Sequence, residues 1–266
     1  MKDTIRHILN INLDDEFAYQ RLLELFLNVK TFPIYKVPIV KGESTIYRTR
    51  QNLYDDFTDF SELSYPPSEL IKDFGRVNKP FQSVFYGSDS FETTMTELMP
   101  NWFLGNSAGD IITLTTSSWT VQENLNVIII PDFRNERMDE IINIAKIREI
   151  HDEQLMFLGF INQIFSENSF YSKKIYKITS AYCNAIKLFY ERENEKIDGI
   201  LYTSAQDKRG WNIALESHVI DKEMIKFKYA IKQFINKVDS TPSYNNFIEP
   251  KPPKSIDFKN KKIIWI

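Results

Sequence analysis

Apolar residues first recur at helical spacing between Asp14 and Val29, where Phe17, Leu22, Leu25 and Phe26 form one broad stripe. Asp14 and Asp15 suit the N-terminus of that helix, within an N-terminal helical segment of residues 1–40. Thr31 to Pro38, with Pro33 and Pro38, reads as a connection. From Thr45 to Arg50 the pattern turns to alternation, predicting a strand with Ile46, Arg48 and Arg50 on one face and Tyr47 and Thr49 on the other. Residues 51–80 are rich in Asp, Ser and Pro around Tyr65-Pro66-Pro67 and read as a long loop, a length that in compact domains tends to mean function or disorder. Ser83 to Ser88 reads as a strand and Ser90 to Met99 as a helix. Ser90 is its N-cap, Glu92 complements its dipole and Pro100 stops it.

Asp110 to Thr115 and Asn126 to Ile130 are predicted strands, the second (N-V-I-I-I) buried. Arg134 to Phe165 and Tyr171 to Glu195 are largely helical. They read as a helical insertion (134–195) into a β-rich core made of 41–133 and 196–220. Lys196 to Ser204 and Asn212 to Glu216 are further strands, and Asp221 to Val238 reads as a last helix. An extended tail with Pro242, Pro250, Pro252 and Pro253 ends on Ile263-Ile264-Trp265-Ile266. The fold class expected is α+β: a mixed β-sheet core with a helical insertion and flanking N- and C-terminal helices, all in one domain.

Composition narrows the classes. The 266 residues are 42% hydrophobic and 26% charged, as in an ordinary globular protein, and the net charge of −3 does not draw the whole molecule to nucleic acid or anionic lipid. A single cysteine, Cys183, excludes an intramolecular disulfide and a cysteine-based zinc site. No signal-peptide pattern and no long apolar run is visible, so a cytoplasmic protein without membrane or nucleic-acid partners is expected. There is no GxGxxG, GxxxxGK[ST] or GxSxG, and His7, His151 and His218 lack metal-ligand spacing. Each of these histidines reads as an ordinary surface or packing residue.

The candidate chemistry concentrates in G-R-V-N-K-P-F-Q-S-V-F-Y-G-S-D-S-F-E-T-T-M-T-E, residues 75 to 97. Arg76 suits a phosphate or carboxylate, and Asn78 suits sugar hydroxyls or an amide, although both also fit turn chemistry. Tyr86 shares its strand face with Val84 and Ser88, as a core tyrosine would. Glu97 falls at the edge of the polar face of its helix, where a carboxylate looks into a cleft or into water. Arg48 and Arg50 lie roughly 7 Å apart along their strand, a spacing that can straddle a pyrophosphate or make a solvated basic edge. Ile200, Tyr202 and Ser204 share a face, and a basic loop with Lys208 and Arg209 leads on to Asn212.

Taken in order, six motifs resemble the RES-domain family: Y-R-T-R at 47–50, P-P at 66–67, G-R-V-N at 75–78, F-Y-G-S-D-S-F-E-T-T-M-T-E at 85–97, D-G-I-L-Y-T-S at 198–204 and N-I-A-L at 212–215. Val77 stands where the family usually has an aromatic residue or Met, and Lys79-Pro80-Phe81 replaces a usual glycine. The resemblance implies a fold similar to ADP-ribosyltransferases and an enzyme consuming NAD⁺, a glycohydrolase or phosphorylase, acting as the toxin of a toxin–antitoxin or defence system. It puts the family's functional residues on Arg48, Arg76, Tyr86, Glu97 and Ser204, with Asn212 nearby. Arg48, Tyr86 and Glu97 are then expected to be catalytic, and Arg50, Arg76, Asn78, Ser204 and Asn212 to bind substrate. NAD⁺ is substrate rather than cofactor, and no metal is implied because a pyridinium already leaves well. A helix-turn-helix antitoxin and a homo-oligomer are the further partners expected. A macromolecule-modifying mono-ADP-ribosyltransferase and a ligand-sensing module without turnover are the alternatives.

Overall fold

The computed structural model describes residues 1–29, 34–98, 107–144, 150–167, 173–237 and 247–266. Nine strands form its central sheet: β1 (Tyr35–Ile39), β2 (Thr45–Asn52), β3 (Val84–Ser88), β4 (Ile111–Val121), β5 (Leu125–Ile129), β6 (Gly199–Thr203), β7 (Trp211–Glu216), β8 (Ile225–Asn236) and β9 (Phe247–Lys251). Their order is β1-β5-β6-β7-β3-β2-β4-β8-β9, and only β5 and β6 are parallel neighbours. Among the described residues there are seven α-helices: α1 (Lys2–Asn10), α2 (Ala18–Leu27), α3 (Phe91–Thr96), α4 (Glu136–Ile144), α5 (Asp152–Ser166), α6 (Tyr176–Arg192) and α7 (Ser217–Asp221). The chain is therefore α+β with a mixed sheet at its core. No described helix is long and apolar enough to cross a membrane.

Alternation in the strands gives the sheet two apolar faces. On one, Val84, Ile128, Ile200, Tyr202 and Ala214 meet Ile8, Leu22, Phe26, Phe157, Phe165 and Tyr182 from α1, α2, α5 and α6. On the other, Phe85, Leu201, Ile213, Ile46 and Trp119 pack with Phe60, Leu63, Met138 and Val219. A parallel pair needs a long crossover, and α4 to α6 supply the one between β5 and β6. The helical block read as an insertion is thus the connection that this pair requires, and it carries nearly half of the buried residues of the first core.

Two segments differ from expectation. The stretch read as a last helix, Asp221 to Val238, is mostly β8, paired along its length with β4. A register shift at Ser118/Trp119 leaves Lys228 unpaired, so inward positions run Ile225, Phe227 and then Ala230. That change of phase creates a three-residue spacing which imitates a helix. Within the expected connection Thr31 to Pro38, Tyr35–Ile39 is a strand. Pro38 is tolerated there because β1 is an edge strand, paired only with β5. The apolar end forms a hairpin of β10 (Ser255–Asp257) and β11 (Lys262–Ile264), docked on the chain itself: Ile263 N–H donates to Thr58 O at 2.8 Å and Trp265 Nε1 to Phe57 O at 2.7 Å. Thr31 to Pro33, Met99 and its Pro100 stop, Tyr171, Val238 and Pro242 lie outside the described residues.

Candidate functional site: an opened ladder

β2 and β3 are neighbours joined only at Tyr47–Ser88. Beyond that pair the ladder opens, and side chains satisfy the freed backbone groups. Thr49 N–H donates to Thr94 Oγ1 of α3 at 3.0 Å, and Tyr86 O accepts from Arg48 Nη1 at 2.7 Å. The gap is a cleft of about 270 Å³, lined among others by Arg48, Arg76, Tyr86, Ser88, Glu97 and Asn212. Paired residues point to the same side of a sheet, so Tyr47 shares the helix-covered face with Ser88, and Arg48 starts from the opposite face. Its guanidinium lies 5.3 Å from the Phe85 ring centroid and reaches through the gap. Its buried Nε has no hydrogen-bond partner, and among the described residues no carboxylate pairs with it. Burial, reinforced by Arg50, lowers its pKa to about 9, so it remains a cation at neutral pH. An unpaired, desolvated cation favours an anionic ligand.

Glu97 lines the same cleft from the C-terminal cap of α3. Its Oε1 accepts three hydrogen bonds: from Ser204 Oγ at 2.5 Å, Asn212 Nδ2 at 2.7 Å and Ala205 N at 3.1 Å. Ser204 Oγ itself accepts from Gln206 N and Asp207 N at 3.3 and 2.9 Å, which commits its one proton to Glu97. Oε2 has no hydrogen-bond partner among the described residues and is the oxygen left for a ligand. α3 is itself set by hydrogen bonds. Ser90 caps it, accepting from Thr93 N at 3.0 Å, as its position predicts.

Tyr86 lines the cleft with its ring while its hydroxyl is held behind it. Val77 N–H donates to that oxygen at 3.0 Å, and the hydroxyl donates to Asn78 Oδ1 at 2.8 Å. Burial pushes the phenol well above its ordinary range, so it stays neutral. The turn closes by Gly75 N–H to Asn78 O at 2.9 Å, and a Cβ at Gly75 would run into Asn78 Oδ1 and Tyr86 Oη. A residue without a side chain is therefore needed where this turn backs onto the tyrosine. Arg76 is buried, donates to the carbonyls of Phe165 and Glu167 (the latter at 3.1 Å) and lies 5.2 Å from the Tyr176 ring centroid. It thereby caps the C-terminus of α5, a favourable place for a cation, while still lining the cleft. Lys208 Nζ donates to the carbonyl between those of Phe165 and Glu167, Ser166 O, at 3.1 Å, and burial, followed by repulsion from Arg76, lowers the Lys208 pKa.

The structure brings Arg48, Arg76, Tyr86, Glu97 and Asn212 to one cleft, with Ser204 and Asn78 one bond behind it. It does not bring Arg50 there. One pleat further along β2, Arg50 donates to Glu62 O and packs 5.1 Å from the Phe57 ring centroid, so the two arginines do not form the expected pair. Sequence reading missed Ser88, Thr94 and Tyr176. Three threonines in a six-residue helix were the available signal for Thr94, because threonine is a poor helix former and wants another use for its hydroxyl. Among the described residues no group of three or more His, Cys, Asp or Glu is placed to hold a metal ion.

A mixed sheet opened at one ladder, with two arginines and a braced carboxylate lining the gap, defines an α+β protein with a charged cleft. The family model of the RES domain matches residues 45–226, most of the chain and every cleft residue named above, and the chain belongs to the RES-domain family. No curated protein matches the chain.

Proposed function

We propose that this protein cleaves the nicotinamide–ribose bond of NAD⁺ and serves as a toxin of a toxin–antitoxin or defence system. The observation that carries the reading is Glu97: one oxygen immobilised by three donors, the other without a partner among the described residues, in the same small cleft as Arg48. When the C1′–N1 bond breaks, its electron pair passes to the ring nitrogen and neutralises the pyridinium. The ribosyl carbon is left with oxocarbenium character, which a fixed carboxylate stabilises without having to reorganise. Glu97 Oε2 faces that carbon or holds the ribose hydroxyls, and a nucleophile then bonds to C1′ and loses its proton. Arg48 meets the pyrophosphate and Arg76 adds positive potential from the α5 terminus. The Tyr86 ring orients the nicotinamide, while Asn78 acts through Tyr86. Purified protein is expected to release nicotinamide from NAD⁺. Removing one preorganised charged group at a developing charge costs about 10²–10³ in rate, and Glu97→Gln is expected to lose at least that much. Equal turnover by the two proteins would remove Glu97 from the mechanism, and none by either would overturn the NAD⁺ assignment.

A further inference from the structure

The two side chains that brace Glu97 are themselves fixed in different ways. Ser204 is locked by its own loop, since two amides fill its acceptor sites. Asn212 is not, because a primary amide presents nearly the same shape after its oxygen and nitrogen exchange places. Two neighbours hold it in one orientation, a carboxylate that can only accept and a hydroxyl that donates to it. Ser88 lies directly across the β3–β7 ladder from Asn212, on the same face, and its buried Oγ donates to Asn212 Oδ1 at 2.6 Å. With that oxygen held by Ser88, Nδ2 donates to Glu97 Oε1, 2.7 Å away, which as a carboxylate oxygen can only accept. The reversed amide would set its oxygen against the carboxylate and leave the Ser88 hydroxyl without an acceptor.

We propose that Ser88 is a positioning residue which acts through Asn212 to hold the Glu97 carboxylate in its working orientation. This relay of three side chains joins β3, β7 and the end of α3, segments that are 124 and 115 residues apart in its two links. The proposal rests on the NAD⁺ reading for its kinetic consequence but not for its geometry, so the test has two arms.

In the first arm, nicotinamide release is followed for wild type, Ser88→Ala and Ser88→Thr. Outer partners of this kind typically change activity by about 10–100-fold, so Ser88→Ala is expected to lower kcat about tenfold with little change in KM. Ser88→Thr, which keeps the hydroxyl and suits a strand, is expected to recover most of the loss. A rise in KM at unchanged kcat would instead make Ser88 a substrate contact and overturn the proposal. In the second arm, the side-chain amide resonances of Asn212 are assigned in labelled protein without substrate. They are expected to move in Ser88→Ala and in Glu97→Gln, and to stay near their wild-type positions in Ser88→Thr. Unmoved Asn212 resonances in Ser88→Ala would refute the relay. Should wild type release no nicotinamide, the NAD⁺ assignment fails by itself and the amide resonances alone decide the relay.

Discussion

On the helix-covered face of the sheet, the two sides of the opened ladder are built from different materials. On the β3 side, α1, α2, α5 and α6 are held by aliphatic and aromatic residues such as Leu22, Phe26, Phe157 and Tyr182 against Val84, Ile200 and Ala214. On the β2 side, α3 packs Met95 into only a small apolar cluster with Ile112, Leu114 and Ile235, and a buried chain of polar contacts is added to it. Thr94 Oγ1 accepts from Thr49 N at 3.0 Å, Thr49 and Thr116 hydroxyls meet at 2.7 Å, Thr116 donates to Gln233 Oε1 at 3.1 Å, and Gln233 Nε2 lies 3.0 Å from Met95 Sδ. Apolar packing is non-directional and stabilises in proportion to the area it buries. Hydrogen bonds stabilise less but fix angle and distance. The molecule thus draws its stability mainly from one side and seats α3, the helix that ends at Glu97, with directed contacts on the other, while the donors to the Glu97 carboxylate come from the β6 and β7 ends.

The largest effect expected from breaking this division is on stability. Phe26 is fully buried and packs edge-on against Tyr182, with ring centroids 5.5 Å apart. Phe26→Ala should cost about 3–5 kcal/mol, read from urea denaturation. Its turnover per folded molecule should be unchanged wherever the variant remains folded, because Phe26 lies outside the cleft lining. Loss of turnover well before loss of fold would dissolve the contrast between the two sides.

Thr116→Val probes the polar side from β4, the strand next to β2. It removes one hydroxyl that does not line the cleft and leaves Thr49 Oγ1 and Gln233 Oε1 buried without their partner. The cost to stability should be about 1–3 kcal/mol, smaller than for Phe26→Ala. Turnover should nevertheless fall in the folded protein, because Thr49 and Thr94 no longer have a fixed backstop under α3. Denaturation and nicotinamide release measured on the same preparation check both halves of this statement.

The elements that flank the cleft were legible beforehand because they rest on local signals. Alternation in T-I-Y-R-T-R and the Ser90 cap located β2 and α3, and the polar residues of 75–97 marked the cleft. The relations illegible in the sequence depend on register. Nothing near Ser88 in the chain announces that it will face Asn212, and nothing near Arg48 announces that the ladder will open where it stands. Arg50 has the same residue type and face as Arg48, yet one pleat along the strand takes it to Phe57 and Glu62. β8 was misread because one unpaired residue changed the phase of its alternation.

The C-terminal hairpin is docked by hydrogen bonds and by buried Ile263, and surface charge is added to these; removing that charge should show the smallest effect. Asp59 caps the turn at Phe60–Leu63 and accepts from Ser61 Oγ at 2.7 Å and from Lys262 Nζ of β11 at 3.0 Å. The Ser61 hydroxyl, followed by its backbone amide and by Lys262, lowers the Asp59 pKa from 3.8 to about 2. A folded-state pKa below the unfolded value means that the contribution is fully present above pH 3.8 and is lost as pH falls through about 2. The site is largely exposed, so salt should weaken the effect. Trp265, whose Nε1 donates to Phe57 O beside this turn, provides the readout. Its fluorescence should change over that acid range, and the change should shrink in Asp59→Asn. The part that persists in Asp59→Asn would be assigned to Glu223, which holds Lys261 of the same hairpin at 3.2 Å and also has a lowered pKa. An acid transition identical in both proteins would show that the hairpin is held by Ile263 and Trp265 alone, by packing like that under α2 rather than by directed contacts like those under α3.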